Sequence, residues 1–470
     1  MRHVDLCVIG SGSGNSIVDE RFADRRVAIV DAGVGPQQAF GGTCLNLGCI
    51  PTKMYVYPAD LAAEVDHARA LGVDLRLDGV HWRAIRDRIF GRIDPIAEAG
   101  RRWRASGMAN VELLRGRAHF VGPRALRVVG AEGAAEDLTA DQVVIAAGSR
   151  PRSVDVPGAD RVVLHTSDTV MRLEELPREM VIVGGGYIGL EFAHVFASFG
   201  VDVTILNRAG MLLRKEDEDV ALRATQVASQ RCHVHLQQHL DAFEPLDGGR
   251  IRVRATGPSG PRAYDTDLVL VAIGRIPNGD RLGVEATGLT LTPDGRIPVD
   301  EHQRTPVEGI WALGDVSSPY LLKHVANAEA RTVQHNLLHP DDLVATDHRF
   351  VPHAVFGSPQ IAATGLTEQE ARGRGLRYIT ATQDYRDVAY GWAMEDDGHF
   401  CKLLADPATG QLLGAHIIGP QASVLLQPLV QAAALGLDLR TLARSQYWIH
   451  PALTEVVENA LLALPWPEAA

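Results

Sequence analysis

Apolar residues along the chain fall into short runs separated by glycine-rich turns. The first run, Val4-Asp5-Leu6-Cys7-Val8-Ile9, leads straight into Gly10-Ser11-Gly12-Ser13-Gly14-Asn15. A mixed stretch that reads as a helix comes next, then a second apolar run, Val27-Ala28-Ile29-Val30-Asp31. Short apolar runs bounded by glycine predict buried strands. The predicted order is strand, glycine loop, helix, strand. It returns 174 positions later. There Met180-Val181-Ile182-Val183 predicts a strand and Gly184-Gly185-Gly186-Tyr187-Ile188-Gly189 a glycine loop. Leu190 to Phe199 predicts a helix ended by Gly200, and Val201 to Leu206 the next strand.

Glycines at this spacing let the backbone approach a pyrophosphate, while a helix N-terminus offers free N–H groups and the positive end of its dipole. Two such loops predict two dinucleotide sites. In the first, Gly10, Gly12 and Gly14 are present, but Asn15 replaces the third glycine of the usual fingerprint. Asp31, 21 positions after Gly10, stands where such a fold places its ribose-binding carboxylate. In the second, Gly184, Gly186 and Gly189 complete the fingerprint. Val143 to Pro151 and Leu268 to Pro277 are a further matched pair. Each is an apolar strand running into glycine (Gly148, Gly274), a basic residue and proline, and each is expected to close one dinucleotide domain. Ile310-Trp311-Ala312-Leu313-Gly314-Asp315 predicts another strand. After about residue 345 the pattern changes, with strands expected within 356–365 and 400–419 and helices at 423–437 and 453–463. The predicted fold is α/β: two dinucleotide-binding, Rossmann-like domains plus a C-terminal α+β domain. The expected bounds are 1–150, 151–276, 277–345 (rejoining the first domain) and 346–470.

With 470 residues, 46% hydrophobic and 22% charged, the chain has material for several cores. The net charge of −12 argues against nucleic acid or an anionic membrane as partner. No apolar run of about 18 residues exists to span a membrane. The N-terminus lacks the form of a signal peptide, and a cytoplasmic location is expected. Lys53, Lys215, Lys323 and Lys402 are the four lysines, which leaves 42 of the 46 basic residues as arginine.

Five cysteines are too few and too odd in number for a disulfide framework. Two are close: Gly41-Gly42-Thr43-Cys44-Leu45-Asn46-Leu47-Gly48-Cys49-Ile50-Pro51-Thr52-Lys53. In one continuous helix they would be about 7.5 Å apart along the axis and about 140° apart around it. A disulfide usually needs Cα atoms within about 6.8 Å. Bonding therefore requires a looped or distorted segment, which Gly48 permits. Pro51 suits a first helical turn, so Cys49 falls at a helix N-terminus, where the dipole favours a thiolate. A structural disulfide and half a zinc site are the alternatives. A reducing compartment disfavours the first, and no second Cys/His pair with zinc spacing is evident, so no metal is expected. A redox-active pair is favoured.

These residues resemble the signature of the pyridine nucleotide–disulfide oxidoreductases of the glutathione reductase and lipoamide dehydrogenase type, and the resemblance spans essentially the whole chain. It implies FAD in the first dinucleotide site, a nicotinamide nucleotide in the second, and a C-terminal dimerisation domain. It further implies that Cys49 faces the flavin and that Cys44 attacks the substrate disulfide. By the same resemblance Lys53 would lie near the flavin and pair with Glu191, and Tyr187 would gate the nicotinamide pocket. Asp315 would bind the ribityl–pyrophosphate part of FAD and Asp31 its adenosine ribose. Gly10, Gly12, Gly14, Asn15, Gly42, Thr43, Lys53, Ala118 and Gly148 complete the implied FAD set. Gly184, Gly186, Gly189 and Gly274 belong to the nucleotide set. His450-Pro451-Ala452-Leu453-Thr454-Glu455 matches the family's ending. His450 would be the acid/base, made more basic by Glu455 and acting on the other subunit's cysteines. A homodimer with shared sites is implied.

After the second domain's second strand the sequence reads Leu206-Asn207-Arg208, with Arg214 six positions on. A 2′-hydroxyl wants a carboxylate at this place and a 2′-phosphate wants arginine. Arg208 and Arg214 therefore predict NADPH. Lipoamide dehydrogenases carry an acidic residue here, and mercuric and large thioredoxin reductases carry extra C-terminal redox residues that this chain lacks. Gly12 to Phe22 and Lys53-Met54-Tyr55-Val56-Tyr57 are similar to the mycothione reductases of the family, which implies mycothione as the small-molecule substrate. A lipoamide dehydrogenase or glutathione reductase is the runner-up. A non-catalytic flavin sensor is disfavoured, because the cysteine pair and the His-Pro element survive together.

Overall fold

The computed structural model describes residues 2–467. Its first unit is a seven-stranded sheet in which Val111–Arg115, Val27–Asp31, Arg2–Ile9 and Ala135–Ile145 run parallel. Ile310–Ala312 joins the far side of Ala135–Ile145, so the chain returns to this sheet after the second unit. An antiparallel meander, Arg117–Gly122 with Ala125–Val129, extends the other end of Ala135–Ile145. Both faces of the parallel part are covered, which is why its strands read as unbroken apolar runs. Leu6, Val8, Ile29 and Val144 pack into one core, while Cys7, Ile9, Ala28 and Val143 pack into the other. Burial pushes the Cys7 thiol up to about 12.

The second unit repeats the plan. His233–His235, Asp202–Leu206, Glu179–Val183, Leu268–Val271 and Leu164–His165 form a parallel sheet beside a three-stranded meander spanning His239 to Thr266. The glycine–basic–proline exits of the two units meet: Ser149–Pro151 pairs antiparallel with Arg275–Pro277. The third unit is a five-stranded antiparallel sheet, ordered His353–Val355, Ile361–Gly365, Leu412–Ile418, Phe400–Ala405, Ile379–Asp384, sharing one core with helices Gln427–Ala434, Leu439–Arg444 and Thr454–Leu462. The helix expected over 423–437 is split into Ala422–Leu425 and Gln427–Ala434, because Pro428 has no N–H to continue the first. Among the described residues no helix is long and apolar enough to cross a membrane.

The largest departure from the sequence-based expectation follows the first glycine loop. No α-helix forms there; the chain makes two 3₁₀ turns, Ser13–Ile17 and Glu20–Phe22. Residues 16–26 must carry the chain back about 15 Å along the sheet to reach Val27. As α-helix they would cover about 16 Å and leave nothing for the two reversals. The carbonyls of the shortened turn are taken up by Arg104, buried on helix Trp82–Ser106. Its guanidinium donates to Asn15 Oδ1 (2.7 Å), the Asn15 carbonyl (2.5 Å) and the Val18 carbonyl (2.8 Å). Burial lowers the Arg104 pKa to about 10.

The second and third units are joined by a buried cation. Lys402 Nζ lies 2.9 Å from Asp217, 2.6 Å from Asp219 and 2.6 Å from Glu368. Asp217 is fully buried and caps helix Glu218–Arg231. Replacing Lys402 with methionine leaves that carboxylate without its cation, and removing one partner of a buried pair costs about 3–5 kcal/mol. Urea unfolding of Lys402→Met is expected to show a loss of that size; a loss below about 1 kcal/mol contradicts it.

Candidate active site

The two cysteines do not share a helix. Gly42–Asn46 is a short helix, Leu47 (φ −140°, ψ 9°) and Gly48 (φ −138°, ψ −117°) leave helical geometry, and a 22-residue helix starts at Cys49. Leu47 is buried and anchors the break. A Cβ on Gly48 would come within 3.2 Å of the Thr43 carbonyl oxygen, which explains the small residue there. Both thiols are free. Cys44 hydrogen-bonds to Cys49, and this contact above all lowers Cys49 to about 7, with Lys53 adding its positive charge. Holding that hydrogen and being partly buried push Cys44 far up. Of the pair, Cys49 is the thiol that ionises around neutral pH. Cys49 is exposed, and with Ile50, Lys53, Met54, Tyr57 and Arg88 it lines an open cavity of about 560 Å³.

Lys53, one turn along the same helix, lies 2.5 Å from Glu191 on helix Tyr187–Ser198. Glu191 also accepts the Phe356 N–H (2.9 Å), and the Lys53 ammonium sits 4.4 Å above the Phe356 ring. A second rung, not flagged by the sequence, joins the same two helices: His194 Nε2 lies 2.6 Å from Asp60. Arg231 donates to His194 Nδ1 (3.1 Å), which fixes the proton on Nε2. Tyr187 is half-exposed at the N-terminus of its helix. Burial of the phenol raises its pKa to about 12 against the opposing charge of Arg275.

The first glycine loop and the segment before Cys44 form a cradle that side chains would fill. A Cβ on Gly10 (φ +112°) would lie 2.3 Å from the Ala146 carbonyl oxygen, and one on Gly42 (φ +75°) 2.6 Å from Gly12 Cα. Gly14 is buried, Thr43 is half-buried beside Gly42, and Gly148 (φ +66°) faces open space. Asp31 accepts from Ser11 N (3.2 Å) and Gly33 N (3.0 Å) and pairs with Arg115. Ala118 is buried three residues beyond Arg115. Asp315 accepts from Ser149 Oγ (2.6 Å), to which Arg275 also donates (2.7 Å). The turn carrying Asp315 is fixed from behind by buried Glu329, which accepts the Gly314 N–H (2.6 Å). A cradle of closely packed glycine backbone with a carboxylate at each end fits a dinucleotide such as FAD.

In the second site Gly184 (φ +115°) and Gly189 pack against backbone, with a Cβ landing 2.4 Å and 2.2 Å from carbonyl oxygens. Gly186 faces open space and no side chain caps the 12-residue helix that follows, so its first N–H groups are free. Gly274 (φ +112°) is also open. Asn207, at the place of a ribose-binding carboxylate, accepts the Gly185 N–H (3.2 Å) and donates to the Ala209 and Met211 carbonyls. It therefore shapes the loop that carries Arg208, Arg214 and Lys215. All three are exposed, and none forms an ion pair among the described residues.

Near the C-terminus His450 Nδ1 lies 2.7 Å from Glu455. The side chain of His450 is 70% exposed and, among the described residues, bonds to neither cysteine. Exposed Tyr447 and Ile449 stand beside it.

A nucleotide cradle of glycines, a second one in a repeated unit, and a dithiol at a helix N-terminus define a flavin- and nucleotide-linked disulfide oxidoreductase. The chain belongs to the pyridine nucleotide-disulphide oxidoreductase family: the family model matches residues 4–332 and its dimerisation domain residues 351–461. It is 50% identical to a mycothione reductase of Mycobacterium tuberculosis across 99% of this chain and 100% of that one. A dihydrolipoyl dehydrogenase of Halobacterium salinarum is 34% identical across 97% and 95%. Among solved structures, a Cu(II) complex of the HOCl-induced flavoprotein disulfide reductase RclA from Escherichia coli superposes with a TM-score of 0.85 at 26% identity, covering 98% of this chain and 99% of that chain.

If the Cys44 hydrogen bond sets the Cys49 thiolate, ultraviolet titration of the reduced protein shows one thiol ionising near pH 7, and Cys44→Ala moves that midpoint upward. A midpoint unchanged or lowered in Cys44→Ala contradicts this assignment.

Proposed function

We propose that the chain catalyses NADPH + H⁺ + mycothione → NADP⁺ + 2 mycothiol as a homodimer. The observation that carries the reading is the polarised Cys44–Cys49 pair at the start of the helix bearing Lys53. Similarity along its whole length to a mycothione reductase supports mycothione as the substrate. Bound FAD supplies the two-electron relay between the nicotinamide and the cysteine pair. It would be held by Gly10, Gly12, Gly14, Asn15, Asp31, Gly42, Thr43, Ala118, Gly148 and Asp315.

This chain's own residues do the rest. Lys53, fixed by Glu191, holds positive charge beside the Cys49 thiolate. Tyr187 covers the nicotinamide pocket. Gly184, Gly186, Gly189 and Gly274 admit the nucleotide backbone, and Arg208 and Arg214 take its 2′-phosphate. Cys44 Sγ gives its proton to His450 of the partner subunit and attacks one sulfur of mycothione. The S–S bond breaks, the partner subunit's His450 protonates the leaving thiolate, and one mycothiol departs. Cys49 Sγ then attacks Cys44 Sγ, closing their disulfide and releasing the second mycothiol, which takes up a proton. With Nδ1–H held by the partner subunit's Glu455, Nε2 is the atom that exchanges protons. The exposure of His450 and its apolar neighbours fits a site completed only by a second copy. The free cysteines fit a reducing, cytoplasmic setting.

The test is turnover of the purified protein with NADPH and with NADH, offering mycothione, glutathione disulfide and lipoamide in parallel. Mycothione with NADPH is expected to give the highest kcat/KM, by tenfold or more over any other pair, as a lost charged contact implies (about 1.5–3 kcal/mol). Preference for lipoamide with NADH would overturn both the substrate and the nucleotide assignment.

A further inference from the structure

The 3₁₀ turn after the first glycine loop leaves that site without the helix dipole that usually faces a pyrophosphate. A five-residue 3₁₀ segment has too few aligned peptides to supply it. Arg104 does not replace it, because four of its five donors are spent on Asn15, Val18 and Met108. One other cation reaches the loop. Lys323, the first residue of helix Lys323–Leu338, places its Nζ 2.8 Å from Ser13 Oγ. It comes from the far side of the cradle, eight residues after Asp315.

Lys323 differs from the other lysines. Lys53 is matched by Glu191, Lys402 is matched by three carboxylates, and Lys215 is exposed on the nucleotide loop. Lys323 is half-buried, yet among the described residues its ammonium pairs with no carboxylate and its only hydrogen-bond partner is the Ser13 hydroxyl. An ammonium offers three donors, and only one of them has an acceptor among the described residues. Ser13 belongs to the glycine loop, so the two remaining donors sit beside that loop.

We propose that Lys323, steered by Ser13, binds the diphosphate of FAD and supplies the positive charge that the missing first helix does not. The proposal rests on reading the first glycine loop as the FAD site. A charge-assisted contact to a phosphate oxygen contributes about tenfold to hundredfold in affinity. It also weakens as salt screens it.

The experiment follows FAD bound to the full-length protein through flavin fluorescence, at low and at high salt, for wild type, Lys323→Met and Lys323→Arg. Riboflavin, which has no phosphate, is the second probe. Lys323→Met is expected to release FAD about tenfold to hundredfold more readily at low salt, with little remaining salt dependence, and to bind riboflavin as wild type does. Lys323→Arg is expected to recover most of the affinity. FAD held equally by Lys323→Met and wild type overturns the proposal, and so does parallel loss of FAD and riboflavin. If Lys323→Met does not fold, Lys323→Arg and Ser13→Ala decide. Unchanged FAD affinity in Ser13→Ala, together with no salt dependence in wild type, overturns it. A wild type that binds no FAD at all would instead defeat the cofactor reading beneath it.

Discussion

Two residues, Leu47 and Gly48, take the chain out of one helix and into another, and the chemistry of the site depends on that break. Were Gly42 to Ala70 a single helix, the two sulfurs would point to different sides and neither could act on the other. With the break, Cys44 ends up close enough to hydrogen-bond to Cys49, while Cys49 opens a 22-residue helix. The two thiols then differ in charge. One is ionised near neutral pH and the other keeps its proton. Leu47 holds the break by burial, and Gly48 fits because a larger residue would crowd the Thr43 carbonyl.

The helix that begins at Cys49 is also the member through which the units are coupled. Its Lys53 and Asp60, two turns apart, meet Glu191 and His194 of the helix that opens with Tyr187. Glu191 in turn accepts the backbone N–H of Phe356, at the start of the third unit. The thiolate, the nucleotide-side tyrosine and the third unit are thus fixed to one another through a single carboxylate. The third unit is held a second time through Lys402 and Asp217, at the end of the loop that carries Arg208 and Arg214.

Much of this was legible in the sequence because it was written in local signals. The strands of both parallel sheets are apolar runs bounded by glycine, and the doubled plan follows from their repetition. Cys44, Cys49 and the Gly48 between them announce a distorted dithiol segment. What was not legible depended on distance along the chain. The first connection reads as helix by composition, and only the span from Asn15 to Val27 against the length of the sheet excludes it. Arg104, Asp60, His194, Glu329 and Ser149 find their partners through the fold, and nothing in their own neighbourhoods marks them. Ile379–Asp384, an edge strand of mixed polarity, lacks the apolar run that revealed the central strands.

The division of labour between the thiols is open to one direct measurement. Cys49→Ser and Cys44→Ser proteins are each incubated with mycothione, and the intact mass of each is determined. Cys49→Ser keeps the attacking thiol and lacks the one that resolves the mixed disulfide, so it is predicted to carry one mycothiol on Cys44. Cys44→Ser is predicted to remain unmodified at Cys49. A stable adduct on Cys49 of Cys44→Ser, with none on Cys49→Ser, would contradict the account.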